Sequence, residues 1–150
     1  MKPAAIHLFM LKKLPAAYFA GVRVRELSTN SAKTSVRHKW INQNPFKSIY
    51  FAVLAMAAEL STGILVMQAI QASSNKFSML VIENQSIFHK KATGKIIFTC
   101  DDGQTLSTEM QACGQSDDQA RAFWMTSVGK NQNDDIVATF HFKWSIKQKS

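Results

Sequence analysis

Apolar and polar residues alternate most clearly near the C-terminal end of the chain. Within residues 136–146, Phe140, Phe142 and Trp144 alternate with His141 and Lys143. A period of two is typical of a strand with one buried face. This segment is therefore predicted to be a half-buried strand whose aromatic side chains enter the core.

Residues 34–41 show the same alternation, which predicts a strand with Val36 and Trp40 on its inner face and Arg37 and Lys39 on its outer face. Four other segments are rich in β-branched and aromatic residues and end in turn residues. They are predicted strands over residues 22–27, 77–88, 95–100 and 122–128. Residues 1–14 and 105–114 are predicted to be short helices, and residues 115–119 a loop.

Residues 49–70 form the longest apolar segment, with Glu59 as its one formal charge. A helix of this length could cross a bilayer, but a carboxylate near its centre would be costly in lipid. A helix that is apolar nearly all round also fits inside a protein. Because about six predicted strands are available to wrap it, we predict a buried core helix with Ser48 as its N-cap, and no membrane span.

The predicted order is a helix, two strands, the long helix and then four strands, which indicates an α+β fold with an antiparallel sheet. The 150 residues, of which 46% are hydrophobic, fit one domain over residues 1–150, with the helix over residues 1–14 packed on it. Cys100 and Cys113 do not imply a disulfide framework. The four histidines lack the spacing of zinc ligands, so no metal is predicted.

The net charge of +8 is unevenly distributed, with +10 in residues 1–99 and −2 in residues 100–150. A basic surface attracts nucleic acids, anionic lipids and phosphate-bearing ligands, although it can also be a solvated face without a partner. A nucleic-acid surface would interleave basic residues with exposed aromatic residues. Here the aromatic residues alternate away from the basic ones, so nucleic-acid binding is disfavoured.

A spacing of fifteen residues separates Asn44 from Glu59. Hotdog thioesterases of the phenylacetyl-CoA type carry an asparagine, a His-Gly-Gly turn and an acid on the central helix at these separations. The segments 42–46 and 57–60 resemble the DUF4442 branch of that superfamily, over roughly residues 14–147. The chain departs from the pattern at the His-Gly-Gly turn, where Tyr50, Phe51 and Ala52 stand.

The resemblance implies a hotdog fold, with about six strands wrapped around one long helix, and the hydrolysis of an acyl thioester. Glu59 would be the base or nucleophile, with a pKa raised by its apolar surroundings, and Asn44 would orient water or bond the acyl carbonyl. The N–H of Ala52 would bind an oxyanion. Thr62, one turn after Glu59, would approximate a hydroxyl that some relatives place four residues after the acid.

Lys90 and Lys91 lie in a turn where related proteins often place a basic residue near the phosphates of coenzyme A, which would be present only as part of the substrate. Each of these residues also has a structural explanation: core packing, a turn or a solvated surface. Five apolar residues could line an acyl tunnel or simply pack in the core: Trp40, Met56, Met67, Phe77 and Met79.

The substrate would be an acyl-CoA or an acyl-carrier thioester, and the resemblance implies a homodimer or a dimer of dimers. A cytoplasmic location is expected. The missing His-Gly-Gly turn favours an alternative, a non-catalytic protein that binds acyl groups or acyl-CoA.

Overall fold

The computed structural model describes residues 2–115 and 120–149. Its helices and strands follow one another as α1 (Pro3–Lys13), α2 (Pro15–Phe19), β1 (Arg23–Leu27), β2 (Ala32–Arg37), α3 (Phe51–Ala72), β3 (Phe77–Phe88), β4 (Lys95–Cys100), α4 (Gly103–Gln115), β5 (Arg121–Lys130) and β6 (Ile136–Gln148). A 3-10 turn (Trp40–Asn42) lies between β2 and α3. The predicted strands over residues 77–88 and 95–100 match β3 and β4 at both ends.

The six strands form one antiparallel sheet in the order β1-β2-β4-β5-β6-β3. Strands β5 and β6 pair along most of their length, so that Phe123 lies opposite Trp144 and Met125 opposite Phe142. These inward side chains are buried. The strand β3 is an edge strand, bonded on one side to β6, and its other side is free to meet solvent or another chain.

Helix α3 packs on the inner face of the sheet, as the α+β prediction required. Its buried residues include Leu54, Ala58, Ile64 and Val66, and three hydroxyl groups bind it to its surroundings. Thr34 Oγ1 donates to the carbonyl of Ala57 at 2.6 Å, and the hydroxyls of Ser61 and Ser127 lie 2.7 Å apart. Polar groups removed from water need such partners.

Within the described part of the chain, α3 is also the one helix long and apolar enough to cross a membrane. Of its apolar window, 61% is buried inside the protein. This helix fills the core of the sheet, which agrees with the prediction of a core helix.

Two local predictions were wrong, both in the segment between β2 and α3. Strand β2 ends at Arg37, and Trp40 lies in the 3-10 turn with 84% of its surface exposed, so it neither points inward nor lines a tunnel. Ser48 does not cap α3, because the helix begins at Phe51 after an extended Tyr50 with no side-chain cap. The Ser48 hydroxyl binds Asn44 instead.

The other predicted helices lie close to their predicted positions. The predicted N-terminal helix is α1, which buries Ile6 and Met10, and α2 follows it without having been predicted. Helix α4 extends the prediction over residues 105–114 by a residue or two at each end. Of the loop predicted over residues 115–119, Gln115 belongs to α4 and residues 116–119 lie outside the described residues.

Candidate functional site

The Glu59 carboxylate lies beside Gly63 and Trp144. A Cβ atom added to Gly63 would lie 3.1 Å from Glu59 Oε1 and 3.2 Å from a ring carbon of Trp144, so the glycine makes room for both groups. Trp144 is also paired with Val81 of β3. The carboxylate therefore lies beside β6, the strand next to the edge strand β3.

The electrostatic setting of Glu59 is unusual for an acid in a core helix. Its side chain is half-buried, and within residues 2–115 and 120–149 no basic side chain forms an ion pair with it. Burial raises the pKa of the carboxyl group, as predicted, because loss of water disfavours the ionised form. Such a carboxylate is suited to take a proton from water or to attack a carbonyl carbon.

Thr62 is completely buried, and its hydroxyl is used twice. Thr62 Oγ1 donates to the main-chain carbonyl of Glu59 at 2.8 Å and accepts from Trp144 Nε1 at 2.9 Å. The hydroxyl thus fixes the indole ring that packs beside Gly63. Thr62 therefore affects the surroundings of the Glu59 carboxylate by holding the Trp144 ring in place.

The Asn44 side chain organises the turn that precedes α3. Its Oδ1 accepts from the N–H of Phe46 at 3.0 Å, from the N–H of Ser48 at 3.2 Å and from the Ser48 hydroxyl at 3.1 Å. Within this turn Lys47 has a φ of 59°, a left-handed conformation that is costly for a residue with a side chain. The three bonds to Asn44 hold that conformation.

The first turn of α3 carries the predicted oxyanion amide, that of Ala52. Helices leave their first N–H groups without intrahelical partners, and no side chain caps these. Aromatic rings surround this point, since Phe51 packs edge to face on Tyr50 and on Phe88 with centroids 5.1 Å and 6.2 Å apart. Phe51 remains 54% exposed, so its ring lies at the protein surface at the start of α3.

Lys90 and Lys91 follow the end of β3. Lys90 Nζ forms an ion pair with Asp135 at 3.1 Å, and this pairing lowers the pKa of the Asp135 carboxyl group. Lys91 is exposed. No sequence pattern indicated the Lys90 partner, because Asp135 comes from the distant turn between β5 and β6.

The structure brings together the Asn44 turn, the start of α3 and the lysine turn. Asn44 Nδ2 donates to the carbonyl of Ile49 at 3.5 Å, and the N–H of Ile49 donates to the carbonyl of Ala92 at 2.9 Å. Glu59 lies two turns further along α3, about 10 Å from Ala52 at 1.5 Å per residue.

Sequence reasoning missed the two residues that shape the space around Glu59. Gly63 lies one turn after Glu59 on the same helix face, and a glycine inside a helix usually has a packing reason. Trp144 was predicted to point inward, but its contact with this face of α3 could not be read from alternation alone.

An apolar cavity lies away from Glu59. It has a volume of about 620 Å³ and lies between α4 and the C-terminal half of α3. Its apolar lining includes Leu65, Phe77, Leu106 and Met110; of the predicted tunnel residues it contains Phe77 alone. None of the predicted site residues lines this cavity. Within the described residues, no group of three or more His, Cys, Asp or Glu side chains could hold a metal ion.

A curved antiparallel sheet around one long helix is the hotdog architecture, and solved structures share it. A protein of unknown function from Pseudomonas aeruginosa, named as a probable thioesterase, superposes with a TM-score of 0.82 over 99% of this chain and 97% of its own, at 18% identity. A protein of unknown function from Chlorobaculum tepidum gives 0.82 over 98% and 97%, at 14% identity. A thioesterase from Haemophilus influenzae gives 0.74 over 99% and 92%, at 6% identity.

The chain belongs to the DUF4442 family, a domain of unknown function whose family model matches residues 4–146. No curated protein matches the chain in sequence. The predicted fold class is therefore confirmed, and so is the branch that segments 42–46 and 57–60 resemble. At identities of 18% and below, the solved structures show the fold.

Proposed function

We propose that this protein hydrolyses acyl-CoA thioesters and that the Glu59 carboxylate acts as the general base or the nucleophile. The observation that carries this proposal is a half-buried carboxylate, with a raised pKa and no basic partner among the described residues, beside a glycine. Proteins named as thioesterases with the same fold support the class of reaction.

In the base-catalysed form, Glu59 takes a proton from water and the resulting hydroxide attacks the thioester carbonyl carbon. The carbonyl oxygen becomes an oxyanion, whose electron pair re-forms the carbonyl as the carbon–sulfur bond breaks. The thiolate that leaves takes up the proton that Glu59 removed from water. The amide of Ala52 at the start of α3, strengthened by the helix dipole, is the proposed donor to that oxyanion. Asn44 holds the turn in front of this amide, and Thr62 holds Trp144 beside Glu59.

Lys90 and Lys91 are the proposed contacts for the phosphates of coenzyme A. A lysine can attract a phosphate as a point charge without a fixed geometry. Lys90 is already paired with Asp135, with both side chains about half exposed. A pair this exposed is weak, so a phosphate can compete with Asp135 for Lys90 while Lys91 remains open to solvent.

The same proposal includes a dimer formed across β3. This edge strand exposes large apolar side chains, with Leu80 at 64%, Ile82 at 50% and Ile87 at 53%. Long apolar edges are rarely left open, because they pair with other chains. A second copy paired along β3 would cover this apolar edge, which is one strand away from Trp144 beside Glu59.

One observation favours the alternative of a non-catalytic acyl-CoA binding protein. Phe51 stands where thioesterases of the resembling type have a glycine, and its exposed ring lies at the start of α3. A side chain here restricts the approach of a thioester carbonyl to the helix amides. Binding without turnover is the expected behaviour if this restriction is complete.

The test is thiol release from a panel of short, long and aryl acyl-CoAs, with the wild-type protein and Glu59→Gln. Hydrolysis of at least one thioester and a loss of about a hundredfold in the variant, the usual scale for a positioned base, would support the proposal. Binding of an acyl-CoA by calorimetry without any turnover would replace it with the alternative. Turnover that is unchanged in Glu59→Gln would exclude Glu59 as the working group.

A further inference from the structure

A small cavity on the outer face of the sheet is lined mostly by basic side chains. It has a volume of about 210 Å³ and lies where β1, β2 and β4 run side by side. Its lining consists of Gly21, Arg23, Arg25, Ser35, Arg37, Lys39 and Lys95. We refer to these seven residues as the basic cavity; five of them are cationic and none is acidic.

The strand register explains why the cations converge. Arg37 on β2 lies directly opposite Lys95 on β4, and Arg23 on β1 lies directly opposite Ser35 on β2. An irregularity between Val24 and Glu26 brings Arg25 to the same place, where its Nε donates to Ser35 Oγ at 2.6 Å. Four of the five cations thus come from three adjacent strands, and Lys39 follows the end of β2.

Gly21 lines the cavity from the segment that precedes β1. It has a φ of 96°, a conformation that side-chain-bearing residues rarely adopt. A Cβ atom at this position would lie 3.9 Å from Asn42 Nδ2, so the glycine is favoured by the backbone conformation of this segment.

This arrangement is unfavourable for an isolated protein. Like charges directly opposite each other on neighbouring strands destabilise a sheet, and within the described residues none of the five cations forms an ion pair with a carboxylate. Elsewhere on the surface five basic side chains do find acidic partners: Lys33, Lys90, Arg121, Lys130 and Lys143. A bound anion would offset the repulsion inside the cavity.

Two of the guanidinium groups are already held in position. Arg23 Nη1 donates to the carbonyls of Tyr18 at 2.7 Å and Val22 at 2.8 Å, and its guanidinium lies 3.8 Å from the centre of the Tyr18 ring. Arg25 is held by Ser35. Because these side chains are ordered before any ligand arrives, binding costs less conformational entropy.

We propose that the basic cavity binds a small phosphate-bearing molecule through a phosphate or diphosphate group. Guanidinium groups match phosphate oxygens as paired donors, and lysines add point charges. A space of about 210 Å³ is that of several water molecules at about 30 Å³ each, enough for one or two phosphate groups. The remainder of a nucleotide would lie outside, along the neighbouring outer face.

The site is separate from Glu59, because it lies on the face of the sheet opposite α3. Phosphate binding there does not depend on the proposed hydrolysis. Two sources of the phosphate are open to test: a free diphosphate, and a nucleotide such as adenosine 3′,5′-bisphosphate. Pyrophosphate, adenosine 3′,5′-bisphosphate and adenosine itself are suitable probes.

The experiment is calorimetry of these probes with the wild-type protein, Arg37→Gln/Lys95→Gln, and the control Lys76→Gln/Lys147→Gln. The control removes the same charge from exposed lysines outside the cavity. We expect pyrophosphate to bind the wild type and the control alike, and the Arg37→Gln/Lys95→Gln protein at least about tenfold more weakly, since charge-assisted hydrogen bonds are lost. Raising the salt from about 50 mM to about 500 mM should weaken wild-type binding.

Folding can be checked independently, because loss of the opposed Arg37 and Lys95 charges should leave the melting temperature without ligand unchanged or higher. If it falls, Lys39→Gln replaces the double variant, since Lys39 lies beyond the end of β2. Tighter binding of adenosine 3′,5′-bisphosphate than of pyrophosphate identifies a nucleotide, and equal binding a free diphosphate. No binding of either probe at low salt, or equal weakening in the control, would overturn the proposal.

Discussion

Replacing Thr62 by valine tests how the surroundings of Glu59 are held in place. The two side chains have nearly the same shape, but valine cannot accept the hydrogen bond from Trp144 Nε1, which is 2.9 Å long and buried. The indole N–H would then lie in the core without an acceptor. A buried donor left unsatisfied costs about 1–3 kcal/mol, and we expect the free energy of unfolding to fall by that amount.

The assay is urea denaturation followed by tryptophan fluorescence, repeated in a Trp144→Phe background. For a chain of this length, a loss of about 1 kcal/mol in the free energy of unfolding lowers the melting temperature by about 2–4 °C. Thermal melting therefore gives an independent measurement of the same loss. Without the indole N–H, Thr62→Val should cost less than about 0.5 kcal/mol, so that the two substitutions couple by about 1–2 kcal/mol. Equal costs in both backgrounds would refute the view that Thr62 acts through Trp144.

Three other substitutions test separate parts of the structure. Burial raises the pKa of Glu59 in the folded protein, so just above the usual pKa of 4.5 the folded protein binds more protons than the unfolded chain, and its stability falls as the pH rises. The melting temperature of Glu59→Gln should therefore exceed that of the wild type at about pH 7 and equal it at about pH 4. A lower melting temperature of the variant at about pH 7 would contradict this. Asn44→Ala removes the acceptor for two main-chain N–H groups and should lower the free energy of unfolding by about 1–2 kcal/mol in urea, with Asn44→Asp, which keeps the oxygen, close to the wild type. Ile87→Lys places a charge on the exposed edge of β3, and light scattering should show that this variant is a 16.8 kDa monomer while the wild type is a dimer. A wild-type protein that is a monomer at micromolar concentration would contradict pairing across β3.

Alternation along the chain was a reliable guide wherever one face of a strand is buried. Phe142 and Trp144 enter the core as their period of two predicted, and the apolar segment around Glu59 became the core helix. Burial imposes a period on such segments, because most inward positions are apolar. Strand β4 alternates in this way, whereas β3 is mostly exposed and was predicted from its β-branched and aromatic residues.

The segment between β2 and α3 shows where that guide fails. Trp40 continues the alternation of β2 in the sequence, but the chain leaves the sheet after Arg37. The Asn42 side chain makes the hydrogen bonds that hold the chain in the turn after β2. Asn42 Nδ2 donates to the carbonyls of Ala20 and Arg37, and Oδ1 accepts from the N–H of Lys39. These partners lie up to 22 residues away, so no local pattern reveals them.

For the candidate site, the sequence placed Asn44 in the turn before α3 and Glu59 on the helix, and their functional roles stay predictions. Both residues were chosen through the family resemblance that their spacing carries. The Asp135 partner of Lys90 and the contact of Gly63 with Trp144 depend on which strands become neighbours. The order of the strands in the sheet determines these contacts, and the alternation within one strand does not reveal that order.

The catalytic role of Glu59 can be tested by the pH dependence of kcat/KM for the best acyl-CoA substrate, with the wild type and Glu59→Gln compared at equal folded concentration. If the ionised Glu59 carboxylate is the working group, the wild-type rate rises with pH through an apparent pKa above the usual 4.5 and becomes flat at higher pH. In Glu59→Gln this limb should disappear, and the plateau should fall by about a hundredfold. A Glu59→Gln protein that keeps both the limb and the plateau would contradict the assignment of Glu59.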